Sequence, residues 1–278
     1  MKEKENESES EALIVKNNNQ QDKISPIQVI DKSIIDKYLC CCCDSKYDLT
    51  IEEYNLFEKL KNETIISFDE SNKEHEKSLN ELLENGKDII SNEEIKEDYE
   101  YWRILGFQSN NPRTDFRAGG IYSVLFMNYF IRNNNIEVKE MIKLKYFSFG
   151  VVCIRITFLV RLFLFLSKKE DVKNQQLTNK IEGCNRKQLK TFVNFLSNDN
   201  LIFLDILSNI LIFIKQKYIK EMDENKKELN FLLIDPIIYL GIKCLGKALN
   251  ESSGKRNESL VDYMKNEFNK EIPNKIKI

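Results

Sequence analysis

The residues best suited to chemistry lie in one short run, Pro112-Arg113-Thr114-Asp115-Phe116-Arg117. The guanidinium of Arg117 is permanently protonated and offers several donors in a planar fork, a geometry that lysine cannot reproduce against an anionic group. Asp115 and Gln108 could orient that side chain or the loop beneath it, while Trp102, Phe107 and Phe116 could anchor the loop to a core. Residue physics alone also allows a plainer reading, in which Asp-Phe-Arg at a helix start is a cap with a local ion pair. Arg113 has two readings of its own, a contact for an acidic partner surface or a solvated arginine.

Other constellations carry less. His75 is the only histidine, and its polar setting, SNKEHEKS, holds no paired nucleophile, so histidine-based hydrolysis is excluded and a solvated position is expected. Cys40, Cys41, Cys42 and Cys43 are consecutive, which denies them the gap that lets a chain wrap around tetrahedral zinc. No metal site is expected. Reversible acylation of the cluster and plain reduced thiols both remain open, since two or more acyl chains would hold a protein at a membrane. Neither GxxxxGK[ST] nor GxGxxG occurs, so the chain should hold no nucleotide or cofactor itself.

The elements that must position Arg117 are helical. Four prolines, nine glycines and long stretches of apolar residues at helical spacing predict an all-α fold, a single compact multi-helix domain behind a disordered amino-terminal tail. Residues 1–26 are polar and too poor in apolar anchors to offset the entropy of ordering. Ile27 to Leu39 follows as an amphipathic helix. Thr50 with Glu53 forms a capping box ahead of a buried stripe of Ile51, Tyr54, Phe57 and Leu60, and Ser91 with Glu94 predicts a second box. Ser109 to Arg113 reads as a turn ended by Pro112, after which Thr114 or Asp115 caps a new helix with Arg117 in its first turn. That helix runs through Ile121 and Tyr129 and stops at Asn133 to Asn135.

Phe147 to Leu166 is the most apolar run and approaches the length of a membrane span. Arg155 and Arg161 interrupt it, and each would cost about 2.5 to 3.5 kcal/mol at a bilayer centre. Buried helices with arginines reaching polar partners are therefore expected here, and the run from Leu201 to Ile214, with Asp205, Ser208 and Asn209, reads the same way. Pro236 and Gly241 predict a broken or bent helix between Phe231 and Leu249. A net charge of −2 without a basic stripe argues against nucleic-acid binding. The polar start, lacking an apolar h-region, predicts an intracellular, cytoplasmic protein without a transmembrane span and with reduced thiols, and Lys2 argues against N-myristoylation.

The stretch from Trp102 to Phe130 resembles the signature of the ELMO-domain family. The resemblance is carried by Trp102, Gly106, Phe107, Gln108, Pro112, Thr114, Asp115, Phe116, Arg117, Gly120, Tyr129 and Phe130, with departures at Ser109, Asn111 and Ala118. Tyr146 to Leu166 is similar to the family's second marker, an aromatic-rich apolar helix. The resemblance implies an ELMO domain over roughly 76–245, preceded by a helical segment at 27–75 that packs on it and followed by a charged extension at 246–278. It further implies a GTPase-activating protein for GTP-bound Arf- or Arl-family small GTPases, with Arg117 as an arginine finger and with GTP and Mg2+ carried by the partner. The alternative it leaves open is a non-catalytic adaptor, as in larger family members that cooperate with DOCK-type exchange factors. Peripheral association with intracellular membranes is compatible with either.

Overall fold

Thr50 opens the first helix as its sequence demands. Its backbone N–H donates to Glu53 Oε2 at 2.7 Å and its Oγ1 accepts from the Glu53 N–H, which closes the capping box ahead of α1 (Ile51–Thr64). Phe57 and Leu60 are buried by that helix, whereas Ile51 at its first position is exposed. The structure, a computed structural model, describes residues 49–90, 95, 97–168, 181–225, 234–255 and 258–272. The polar tail, the Ile27–Leu39 helix, Cys40 to Cys43 and the Ser91–Glu94 box lie outside the described residues.

The other elements are α2 (Lys73–Ile90), α3 (Asp98–Ile104), a 3-10 helix (Pro112–Arg117), α4 (Gly120–Asn133), α5 (Asn135–Met141), α6 (Phe149–Phe163), α7 (Arg186–Asn198), α8 (Ile202–Asn225), α9 (Ile234–Glu251) and α10 (Leu260–Glu271). Every regular element among the described residues is helical, and together they form one compact all-α unit. The centre is α6, which packs on α4, α8, α9 and the 3-10 helix and buries residues on every face. Burial all round is why its sequence shows an apolar run rather than a stripe.

The two arginines in that run find oxygen partners. Arg155 forks onto Asp235 of α9, with Nε to Oδ1 at 3.0 Å and Nη2 to Oδ2 at 2.9 Å, and Arg161 turns toward the backbone carbonyls of Ala118, Gly119 and Leu166. α9 is unbroken, against the expectation from Pro236. Within the described helix, Ile234–Glu251, the proline stands in the first turn, where its missing N–H removes no hydrogen bond of that span. Gly241 lies against Ile210 and Phe213, allowing α9 to approach α8 closely.

Among the described residues no single helix is long and apolar enough to cross a membrane. Helices α7 and α8 reach the required length and apolarity only together, and they meet at 114°. Most of their apolar residues, Phe192, Ile206 and Ile210 among them, are buried inside the domain.

Candidate functional site

The site is built outward from the end of α3. Gly106 takes a left-handed φ of +85°, and the Phe107 N–H turns back to donate to the Trp102 carbonyl at 3.0 Å. This is a glycine-terminated helix end whose flanking apolar pair is Trp102 and Phe107, with rings edge to face at 5.4 Å. A side chain at 106 would also drive a Cβ to 2.6 Å from the Ser148 backbone. The Gly150 N–H donates to the Leu105 carbonyl at 2.8 Å, fixing the start of α6 against the same turn.

From there the chain has no helical partner for the Gln108 N–H. Asp115 Oδ2 accepts it at 2.9 Å, which bridges the two ends of the loop. Asn111, with extended backbone, caps the 3-10 helix by accepting the Arg113 N–H at 3.1 Å, and Pro112 follows at the first helical position. Ser109 Oγ donates to the Asn111 carbonyl and lies 3.3 Å from Thr114 Oγ1. Two of the residues that depart from the family signature therefore supply hydrogen bonds to the loop.

The segment is held from below. Phe116 is fully buried, its ring 5.7 Å from Phe107 and 5.2 Å from Phe68, and Pro112 is buried beside it. Arg113 forks onto Glu76 of α2, with Nε to Oε1 at 2.8 Å and Nη2 to Oε2 at 2.5 Å. Those hydrogen bonds and the adjacent positive charge hold the Glu76 carboxyl below its ordinary range. Arg161, 3% exposed, lies behind the carbonyls of Ala118 and Gly119. Gly120 closes the segment with φ +63°, where a Cβ would stand 2.2 Å from the Ile66 carbonyl oxygen that accepts the Ile121 N–H.

Arg117 is the last residue of the 3-10 helix and is exposed. With three residues per turn, Thr114 and Arg117 eclipse, so Arg117 Nε donates to the Thr114 carbonyl at 2.9 Å. Among the described residues no carboxylate pairs with it, and its two terminal nitrogens make no hydrogen bond.

Neither Thr114 nor Asp115 caps the helix that follows. Asn111 caps the inserted 3-10 helix, α4 begins only at Gly120, and the Asp115 carboxylate is used by Gln108. Arg113 is half-buried and paired with Glu76, so it is not a solvated arginine. His75 is buried rather than solvated, because the turn before α2 folds over it. Its Nδ1 accepts the Asp69 N–H at 3.0 Å, and its ring lies against Phe68.

The structure brings Gln108, Asp115, Trp102, Phe107, Phe116 and Arg117 into one braced loop. Sequence reasoning missed Glu76 as the partner of Arg113 and Arg161 as a brace. An arginine in the most apolar run was a readable signal for the second, whereas nothing local marks Glu76. At the far end of the signature, Tyr129 donates to Asp205 Oδ1 at 2.6 Å and ties α4 to α8. Burial and that carboxylate push its hydroxyl pKa up to about 12. Among the described residues no group of His, Cys, Asp and Glu side chains is arranged to hold a metal ion.

The ELMO/CED-12 family model matches residues 58–230, which contain the whole braced loop. ELMO domain-containing protein B of Dictyostelium discoideum is 32% identical over 119 residues, 40% of this chain. The chain spans 41% of the length of that relative. No solved structure matches.

Proposed function

The chain belongs to the ELMO/CED-12 family, and from that premise we propose that it is a GTPase-activating protein acting on an Arf- or Arl-family small GTPase, with Arg117 as the arginine finger. Family membership supports a role in small-GTPase regulation. The observation that carries the finer reading is the contrast among neighbouring arginines. Arg113 is paired with Glu76, Arg161 is buried, and of the three Arg117 alone stands exposed, at the end of a braced turn with its Nε held by the Thr114 carbonyl.

That arrangement suits charge compensation in trans. Hydrolysis of bound GTP shifts negative charge among the phosphate oxygens, and an inserted guanidinium that offsets it can raise the rate by about 10³ to 10⁵. Holding Nε on the Thr114 carbonyl reduces the freedom that the side chain loses on insertion, and leaves the two terminal groups as a fork. The loop below supplies rigidity and takes no direct part. GTP and Mg2+ come with the partner, and association with intracellular membranes follows the partner's own location.

The test is single-turnover hydrolysis by a panel of GTP-loaded Arf and Arl proteins, with and without the full chain. Acceleration of at least one member is expected. Tight binding without acceleration across the panel would favour the adaptor reading instead.

A further inference from the structure

An arginine sealed inside an apolar helix must meet oxygen atoms, and the positions of those oxygens show what it holds together. Arg161 lies in the last turn of α6. The helix ends at Phe163, and Phe165 takes a left-handed φ of +58°, which doubles the chain back so that the Leu166 N–H donates to the Arg161 carbonyl at 2.8 Å. The Leu166 carbonyl is thereby returned to Arg161 Nε at 3.3 Å, and it also accepts from Thr64 Oγ1 at 3.0 Å. From the other side of the same guanidinium, Nη1 lies 3.4 Å from each of the Ala118 and Gly119 carbonyls.

Those two carbonyls belong to the two residues that immediately follow Arg117. The planar cation thus brackets the ends of α1 and α6 on one side and the exit of the 3-10 helix on the other. At 3.3–3.4 Å these hydrogen bonds are long, and the attraction between a buried charge and the facing carbonyl dipoles adds to them. A lysine at this place would keep the charge but offers one nitrogen centre, which cannot span both sides.

We propose that Arg161 is a positioning residue for Arg117, fixing the backbone on which the finger is mounted; this rests on the reading of Arg117 given above. Arg161 touches no nucleotide and acts only through the Ala118–Gly119 peptides. A misplacement of about 1 Å at a reacting centre can cost roughly a hundredfold in rate, so losing one side of the bracket is sufficient to be read kinetically.

Two measurements on the full chain test it. The first is limited trypsin digestion under native conditions, following cleavage after Arg117 and after Arg132. Arg161→Lys and Arg161→Gln should each raise the rate at Arg117 roughly tenfold while leaving Arg132 unchanged, because proteolysis follows the local open population. Phe213→Ala, which loosens the distant apolar packing of α8, should raise both sites together. Unchanged cleavage at Arg117, or an equal rise at both sites in the Arg161 variants, would overturn the inference.

The second is single-turnover hydrolysis with a responsive GTPase. Arg161→Lys should lower the saturating rate at least about tenfold, shift the half-saturating concentration less than about threefold, and add no further loss to Arg117→Ala. Additive losses, or a full saturating rate, would overturn the positioning role. If Arg117→Ala itself leaves stimulation intact, the finger reading fails, and the digestion still decides whether Arg161 holds the turn.

Discussion

Two regions of this molecule are held in place by different physics. Between Gly106 and Gly120 the buried Phe107, Pro112 and Phe116 are supplemented by polar ties from several elements, namely Asp115 to Gln108, Glu76 to Arg113, Arg161 to the Ala118 and Gly119 carbonyls, and the Ile66 carbonyl to Ile121. The layer of α8, α9 and α10 is fixed largely by apolar burial, with Ile210, Phe213, Ile238, Leu245 and Phe268 all inside. Polar ties are directional and individually modest, whereas burial is strong and tolerant of small shifts. Damage to the layer should therefore lower stability and spare the chemistry per folded molecule. Damage to the loop should move Arg117 while changing stability much less.

The largest loss of stability is expected for Phe213→Ala. Its ring stacks on Phe268 at 4.4 Å and is 1% exposed, so truncation should cost about 3 to 5 kcal/mol in denaturant unfolding. Stimulation normalised to folded protein should remain. Gly120→Ala comes next and should damage both properties. The left-handed backbone alone costs about 1 to 2 kcal/mol with a side chain, and the new Cβ must displace the Ile66 carbonyl as well. A stable, fully active Gly120→Ala protein would show that this turn does not set the loop.

Asp115→Ala should cost about 1 kcal/mol, because only the Gln108 N–H loses its acceptor at a partly solvated position. Its saturating rate in single turnover should fall by more than that stability loss converts to, which separates loop geometry from folding. The smallest of these effects on stability is pH-dependent. Arg113 holds the Glu76 carboxyl below its ordinary value of 4.5. A depressed carboxyl stabilises the fold fully above that ordinary value and loses its contribution as pH falls through the lower folded value. The pair is partly exposed, so no more than about 1 kcal/mol is at stake. Native protein and Glu76→Gln should differ in unfolding free energy at neutral pH and converge on acidification below about pH 4.5.

The same contrast explains what could be read from the sequence. Apolar packing and short-range caps write themselves locally, so the helical class, the Thr50–Glu53 box and the buried character of α6 were legible from spacing and composition. Polar ties across long stretches of chain are not local. Glu76 looks like any surface glutamate until Arg113 is folded onto it, and His75 looks solvated until the Phe68–Asp69 turn covers it. The misplaced cap at Thr114 or Asp115 has a related cause. Pro112 and Asn111 together make a 3-10 helix start earlier, and that insertion frees the Asp115 side chain for Gln108. Pro236 misled for a simpler reason, since its effect depends on which turn of the helix it occupies.

The measurement that tests the central claim most directly is single-turnover hydrolysis by a responsive Arf- or Arl-family GTPase with the native chain, Arg117→Lys and Arg117→Ala. Arg117 is exposed and outside the core, so both variants should keep stability within about 0.5 kcal/mol and retain binding. Stimulation should nevertheless fall by about a thousandfold or to the unassisted rate. Stimulation that survives either substitution undiminished would contradict the account and move the search to another group on this surface.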